Sequence, residues 1–229
     1  MKRFYKQVTV TPERGILLDA RQVKTPLKAS LILPTLALAE EVALEWRAQD
    51  KDILPHTMPF TGLANAAIDR VAADAQGFAA GLAQYGESEL LCYRADSPPD
   101  LVARQDLLWN PLLAWARERY DVSFTLVTGV MHQHQPAEAL TRLSATISAR
   151  NPWELAALSP IVTIAGSLII ALAVLERELE ADAAFDTAHL DELWQAEQWG
   201  EDWMAAETRA AHRKDFSDAC RFLRMLDNG

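Results

Sequence analysis

The sequence predicts an α+β fold: a small β-rich N-terminal domain over residues 1–34, an antiparallel sheet or partial barrel, followed by a larger multi-helical domain over 35–229 with a buried central helix. Three observations carry this reading. Short apolar runs separated by turn residues fill the first 33 positions, the apolar period becomes helical after Pro34, and the 21 residues from Leu155 to Leu175 carry no charge. An element apolar on every side is either a membrane span or the centre of a helical core.

Phe4, Val8 and Val10 lead to a turn at Pro12–Gly15, then Ile16–Leu18, a tight turn at Asp19–Arg21, Val23, and Leu31–Leu33 before Pro34. Short strands punctuated this closely suit a small antiparallel sheet. Ala20 sits poorly in a turn that asks for a left-handed residue. From Leu36 to Trp46 apolar residues recur at helical spacing, with Glu40, Glu41, Glu45 and Arg47 on the polar side. Thr61 is placed to cap a helix whose apolar face is Leu63, Ala64, Ala67, Ile68 and Val71, and residues 72–85 predict another helix. Leu90–Tyr93 reads equally as a strand or a helix end. Asp100 is expected to cap a helix ending near Trp109, with Asn110–Pro111 opening the next. Residues 122–130 alternate weakly, as a strand returning to the first domain or packing across the helices. Pro136 and Asn151–Pro152 each open a further helix. An acidic helix is expected past Glu176 to about residue 184, then a final helix pair over 187–226.

Length alone makes 155–175 a candidate span, since about 20 apolar residues cross a bilayer core. Ser159 and Pro160, however, read as an N-cap and first helical residue. That start leaves 16 uncharged residues before Glu176, and the flanking residues Glu154 and Glu176 give no basic cluster to set an orientation. The segment is therefore expected to be wrapped by its own chain.

The net charge of −10 argues against nucleic acid as a partner. The charge is uneven: residues 1–30 hold seven Lys/Arg against two acids, and residues 177–229 hold six against thirteen. The two cysteines, Cys92 and Cys220, lie far apart and suit a reducing compartment. No apolar leader follows the basic start, so a bacterial cytoplasmic protein, monomeric and without stable membrane insertion, is expected.

Phosphate-binding glycine loops, the HExxH motif and a nucleophile elbow are all missing from the sequence. His132 and His134 would face the same way on a strand, but without a third ligand nearby in sequence they read as a polar loop. No cofactor, metal or catalytic residue is therefore assigned. Seven tryptophans stand out, three of them (Trp194, Trp199, Trp203) interleaved with Glu192, Glu197, Glu201 and Asp202. Trp199 and Trp203 share a face if their helix is continuous. They either pack the last helices onto the core or form a protein-binding edge.

Several motifs become recognisable together: Leu18–Pro26, Glu45–Trp46 with Gln49, Met58–Thr61 through Ala67–Asp69, Leu91–Arg94, Gln105 with Trp109–Leu112, Gly166–Ser167, and Trp199-Gly-Glu-Asp202. In order and spacing this set resembles the ATP synthase assembly chaperones that handle the alpha subunit, across residues 3–226. Ala20 stands where that family typically has glycine, and Asn110 where it has aspartate. The resemblance implies an ATP-independent chaperone whose partner is the unassembled alpha subunit of F-type ATP synthase, kept from aggregating until its beta partner arrives. It implies partner-binding residues at Glu201 and Asp202, with Glu45 and Trp46 as a second motif; Trp199 and Trp203, flanked by charge, are expected to share the contact. The rival expectation is a small-molecule enzyme using Asp69, Glu45, Arg94 or His56 as an acid/base site in an interdomain cleft.

Overall fold

Turn chemistry shapes the N-terminal sheet. In the computed structural model, which describes residues 1–129 and 131–227, three antiparallel strands follow sequence order: β1 (Val8–Val10), β2 (Ile16–Leu18) and β3 (Arg21–Gln22). Leu18 pairs with both Val8 and Arg21, so the second turn is Asp19–Ala20. The left-handed residue is Asp19, φ 55°, not Ala20. Aspartate tolerates that conformation better than alanine, and its carboxylate accepts the Lys6 and Gln7 N–H groups at 3.0 and 2.9 Å. Alanine is therefore no misfit in this turn. Single bridges, Gly15 to Ile32 and Lys24 to Ser30, extend the sheet, and Ile16, Leu18, Leu31 and Leu33 are buried.

Helix α1 (Leu36–Ala48) starts at Thr35, whose hydroxyl accepts the Leu38 N–H and donates to the Met225 carbonyl. Its buried stripe is Leu38, Ala39, Val42 and Ala43. Helix α2 (Pro59–Ala66) runs on into a π-helical turn, Ala67–Val71. Thr61 lies inside α2 rather than at its cap, because Pro59 takes the first helical position. The cap comes instead from α1: Glu45 accepts the Phe60 N–H, the Thr61 N–H and the Thr61 hydroxyl, each at 2.7 Å.

Residues Met1–Ala75, Asn151–Leu158 and Asp218–Gly229 gather into one compact unit; Gln76–Arg150 and Ser159–Ser217 form the second. In the first, Phe222 stacks on Phe60 and on Trp153. The second takes in all but the first residue of α3 (Ala75–Ala83) and a turn at Leu90–Cys92 leading into β4 (Tyr93–Arg94). Helix α4 (Pro99–Tyr120) comes next, and β5 (Val127–Thr128) then pairs with β4 in parallel. The strand expected near 122–130 is thus β5, and it joins β4 rather than the N-terminal sheet; Val130, like residues 228 and 229, lies outside the described residues.

Two local stop signals are overridden. Asn110–Pro111 does not restart a helix; α4 runs through it, and Pro98, not Asp100, is its N-cap. Pro111 removes the donor for the Leu107 carbonyl, but Leu107 is exposed, where water can replace it. After α5 (Ala137–Ser148), α6 (Pro152–Ala165) contains Pro160. Asn151 accepts the Trp153 and Glu154 N–H groups while Glu154 accepts that of Asn151, a reciprocal cap. The chain is already helical when it reaches Ser159–Pro160. The break comes at Gly166, φ 63°, and α7 (Leu168–Leu175) restarts from Ser167. The uncharged stretch is therefore two helices, of which α7 is the core piece, buried throughout Leu168–Ala173. The acidic helix expected past Glu176 does not form there; Arg177 turns left-handed, φ 63°, and α8 spans Ala181–Ala188. Helices α9 (Leu190–Trp199) and α10 (Trp203–Leu226) complete the chain. Among the described residues no helix is long and apolar enough to cross a membrane.

Candidate functional site

Three residues, Gly200, Glu201 and Asp202, separate α9 from α10. Gly200 has φ 88° and ψ 162°, a region open essentially to glycine alone. Asp202 accepts the Met204 and Ala205 N–H groups, both at 3.0 Å, and so caps α10. Trp199 and Trp203 consequently sit on two helices, not on one continuous face. Trp194 turns inward, 6% exposed, and meets Trp199 edge-on at 5.5 Å. Trp199 is 74% exposed, Trp203 70% and Met204 61%. Trp194 therefore packs onto the core, whereas the other two tryptophans face solvent.

In the same unit is a groove of about 600 Å³ lined by Leu108, Leu190, Leu193 and Ala196. Charge rims it: Arg104 pairs with Glu197 at 2.7 Å and Arg209 with Glu201 at 3.1 Å. The Arg209 side chain is nearly buried, and its Nε lies 3.4 Å from Glu192 without hydrogen-bonding it. Glu201 is therefore its main counter-charge. The Arg104–Glu197 pair is half exposed, so it shapes the rim more than it stabilises the fold. Apolar lining, ionic rim and solvent-facing tryptophans suit contact with another protein's apolar surface.

Glu45, Trp46, Asp69 and Arg94, the other buried or half-buried sequence-predicted residues, have local partners. Burial raises the Glu45 carboxyl above its ordinary range against the donors of Thr61 and Phe60 that lower it. Trp46 packs edge-on against Tyr5 at 5.9 Å and accepts the Tyr5 hydroxyl at its carbonyl. Asp69 accepts the Thr25 hydroxyl at 2.6 Å and the Leu27 N–H at 2.9 Å, pinning the turn between them. His56 is exposed on the Pro55–Thr57 turn. Arg94, in the second unit, donates to the Leu91 carbonyl, Asp106 and Asn110, and lies over the Trp109 ring. Asn110 thus receives an arginine rather than capping a helix. Cys92 and Cys220 are buried thiols, and burial pushes the Cys92 thiol up to about 12, well out of nucleophile range.

Sequence reasoning missed Glu89. It is fully buried and accepts the Leu168 N–H at 2.9 Å, the Ile169 N–H at 3.1 Å, the Leu91 N–H at 3.3 Å and the Ser167 hydroxyl. It holds the start of α7 from 78 residues away. Desolvation pushes its carboxyl up to about 7 despite those donors. No local signal marked it: Glu87 stands two residues before it, and the helix start that it holds is distant in sequence.

Comparison with known proteins bears on the whole chain. The family model described as ATP12 chaperone protein matches residues 2–117. The crystal structure of Atp12 from Paracoccus denitrificans superimposes with a TM-score of 0.93 at 38% identity, covering 98% of each chain. An aspartate-to-lysine variant of that Paracoccus protein gives 0.92 at 38% identity, over 98% of this chain and 97% of that one. The mitochondrial protein atp12 of Schizosaccharomyces pombe is 25% identical over 214 residues, 87% of this chain and 74% of its own length.

Proposed function

The chain belongs to the ATP12 chaperone protein family, and from that premise we propose that it is an ATP-independent assembly chaperone. It binds the unassembled alpha subunit of F-type ATP synthase and keeps it from aggregating until the beta subunit pairs with it. The observation that carries the choice of surface is the solvent-facing Trp199–Trp203–Met204 corner, in the same unit as the ion-rimmed groove. An orphan subunit interface exposes apolar area that its true partner covers, and a holder must cover enough of it to be specific, about 1,200–2,000 Å² in total. Aromatic anchors bounded by charge are the usual means. Release follows by competition, since the beta subunit buries the same surface more fully.

On this reading Trp199 and Trp203 supply apolar contact, and Glu201 and Asp202 give the corner its charge while also anchoring Arg209 and α10. Glu45 and Trp46 serve the function through the fold, by seating α2 and the N-terminal residues. The test is light scattering of isolated alpha subunit with the Trp199→Ala, Trp203→Ala double variant. Both side chains are largely exposed, so the variant's melting temperature is expected to stay close to wild type while protection falls several-fold. Full protection by a folded double variant would remove this corner from the contact surface.

A further inference from the structure

We propose that Glu87, His132 and His134 form a binding site for one divalent transition-metal cation of the zinc class. Two histidines two residues apart are a weak signal alone; the fold supplies the third donor. Glu87 Oε1 lies 3.3 Å from His132 Nε2 and 2.5 Å from His134 Nδ1, and the donor atoms of all three residues lie within 4.8 Å of one another. Zinc bonds of about 2.0–2.1 Å in tetrahedral geometry put neighbouring donors roughly 3.3 Å apart. The Glu87–His132 spacing already fits, and His134, 88% exposed at its side chain, has room to draw back by the remaining distance.

His132 is also oriented for this role. The Tyr93 hydroxyl is 2.9 Å from its Nδ1. With Nδ1–H donating to that oxygen, the lone pair sits on Nε2, the nitrogen that faces Glu87. Such an outer partner is what fixes tautomer and ring direction in metal-binding histidines. Pairing of Tyr93 with Val127 places the tyrosine against the segment that carries both histidines. The second Glu87 oxygen accepts the Gln135 N–H at 3.3 Å, which leaves Oε1 for the cation. Two imidazoles and one carboxylate, with the remaining positions open to water, suit zinc, cobalt, nickel or copper; magnesium and calcium prefer oxygen donors. A bound ion would tie residues 132–135 to the turn at Gln84–Glu87 within the second unit.

The test is titration of Zn²⁺ into the metal-stripped full chain against a chromophoric chelator, with Co²⁺ absorption as the coordination probe. One equivalent is expected to bind, with visible bands of low-coordinate cobalt. Glu87→Gln, His132→Ala and His134→Ala are each expected to weaken binding at least about tenfold, and Tyr93→Phe about tenfold through lost orientation of His132. His56→Ala is the control and binds as wild type. These side chains reach solvent, so the variants are expected to melt with the wild type in chelator, which circular dichroism checks. Absence of saturable one-equivalent binding by wild type, or unchanged affinity in the three ligand variants, overturns the site.

Discussion

Glu89 places one carboxyl group, with four donors around it, at the buried start of α7. Its raised value, about 7 against an ordinary 4.5, makes it a pH-dependent element of stability. Between those values the folded state keeps a proton that the unfolded chain has released. The group's favourable contribution is therefore complete below about 4.5 and is lost as pH rises through about 7. The full span corresponds to a cost on the order of 3 kcal/mol. Urea unfolding of wild type and Glu89→Gln between pH 5 and 8 is expected to show wild type losing stability relative to the glutamine variant as pH rises; a constant difference would contradict the assignment. Asp202 asks a separate question, because it both caps α10 and gives the tryptophan corner charge. Asn caps nearly as well as Asp, whereas losing the cap costs about 0.5–2 kcal/mol, and lysine at a helix start is also disfavoured by the dipole. Asp202→Asn should melt near wild type and Asp202→Lys below it. Equal melting temperatures would mean that the cap contributes nothing.

At the scale of elements, the helices were read well from their apolar faces and poorly at their ends. Local grammar put a start at Ser159–Pro160 and another at Asn110–Pro111, yet α6 and α4 pass through both. The reason is that a proline forbids one hydrogen bond, while packing along a long buried face favours continuing. Asn151–Pro152, the same dipeptide, does begin a helix, because Glu154 completes the cap. The caps from Glu45 and Glu89 could not be read at all, since an acid reaching a distant helix start leaves no local pattern. Gly166, at φ 63°, is the residue that divides the uncharged stretch, and a Cβ there would meet nothing within 4 Å. Its role is thus conformational, and Gly166→Ala is expected to cost about 1 kcal/mol in denaturant unfolding. No loss of stability would show that the break does not depend on glycine.

For the whole molecule, the sequence conveyed the α+β class, the burial of the uncharged stretch though not its division into two helices, and the family resemblance, because each is spread over many residues. It conveyed less of the site. Trp199, Gly200, Glu201 and Asp202 were visible as a motif, but not the corner they build, which depends on Gly200 ending one helix and Asp202 starting another. The ion rim was hidden because Arg104 and Glu197 meet only through tertiary packing. So was Glu87 beside the two histidines. What the chain is proposed to do, through the exposed corner of its second unit, is hold one orphan subunit without nucleotide. The most direct measurement mixes the chain with isolated ATP synthase alpha subunit, with and without ATP, separates complexes by size, and then adds beta subunit. The account predicts a complex that forms equally with and without ATP and gives up its alpha subunit when beta arrives; no complex, or one that requires ATP or retains alpha against beta, would contradict it.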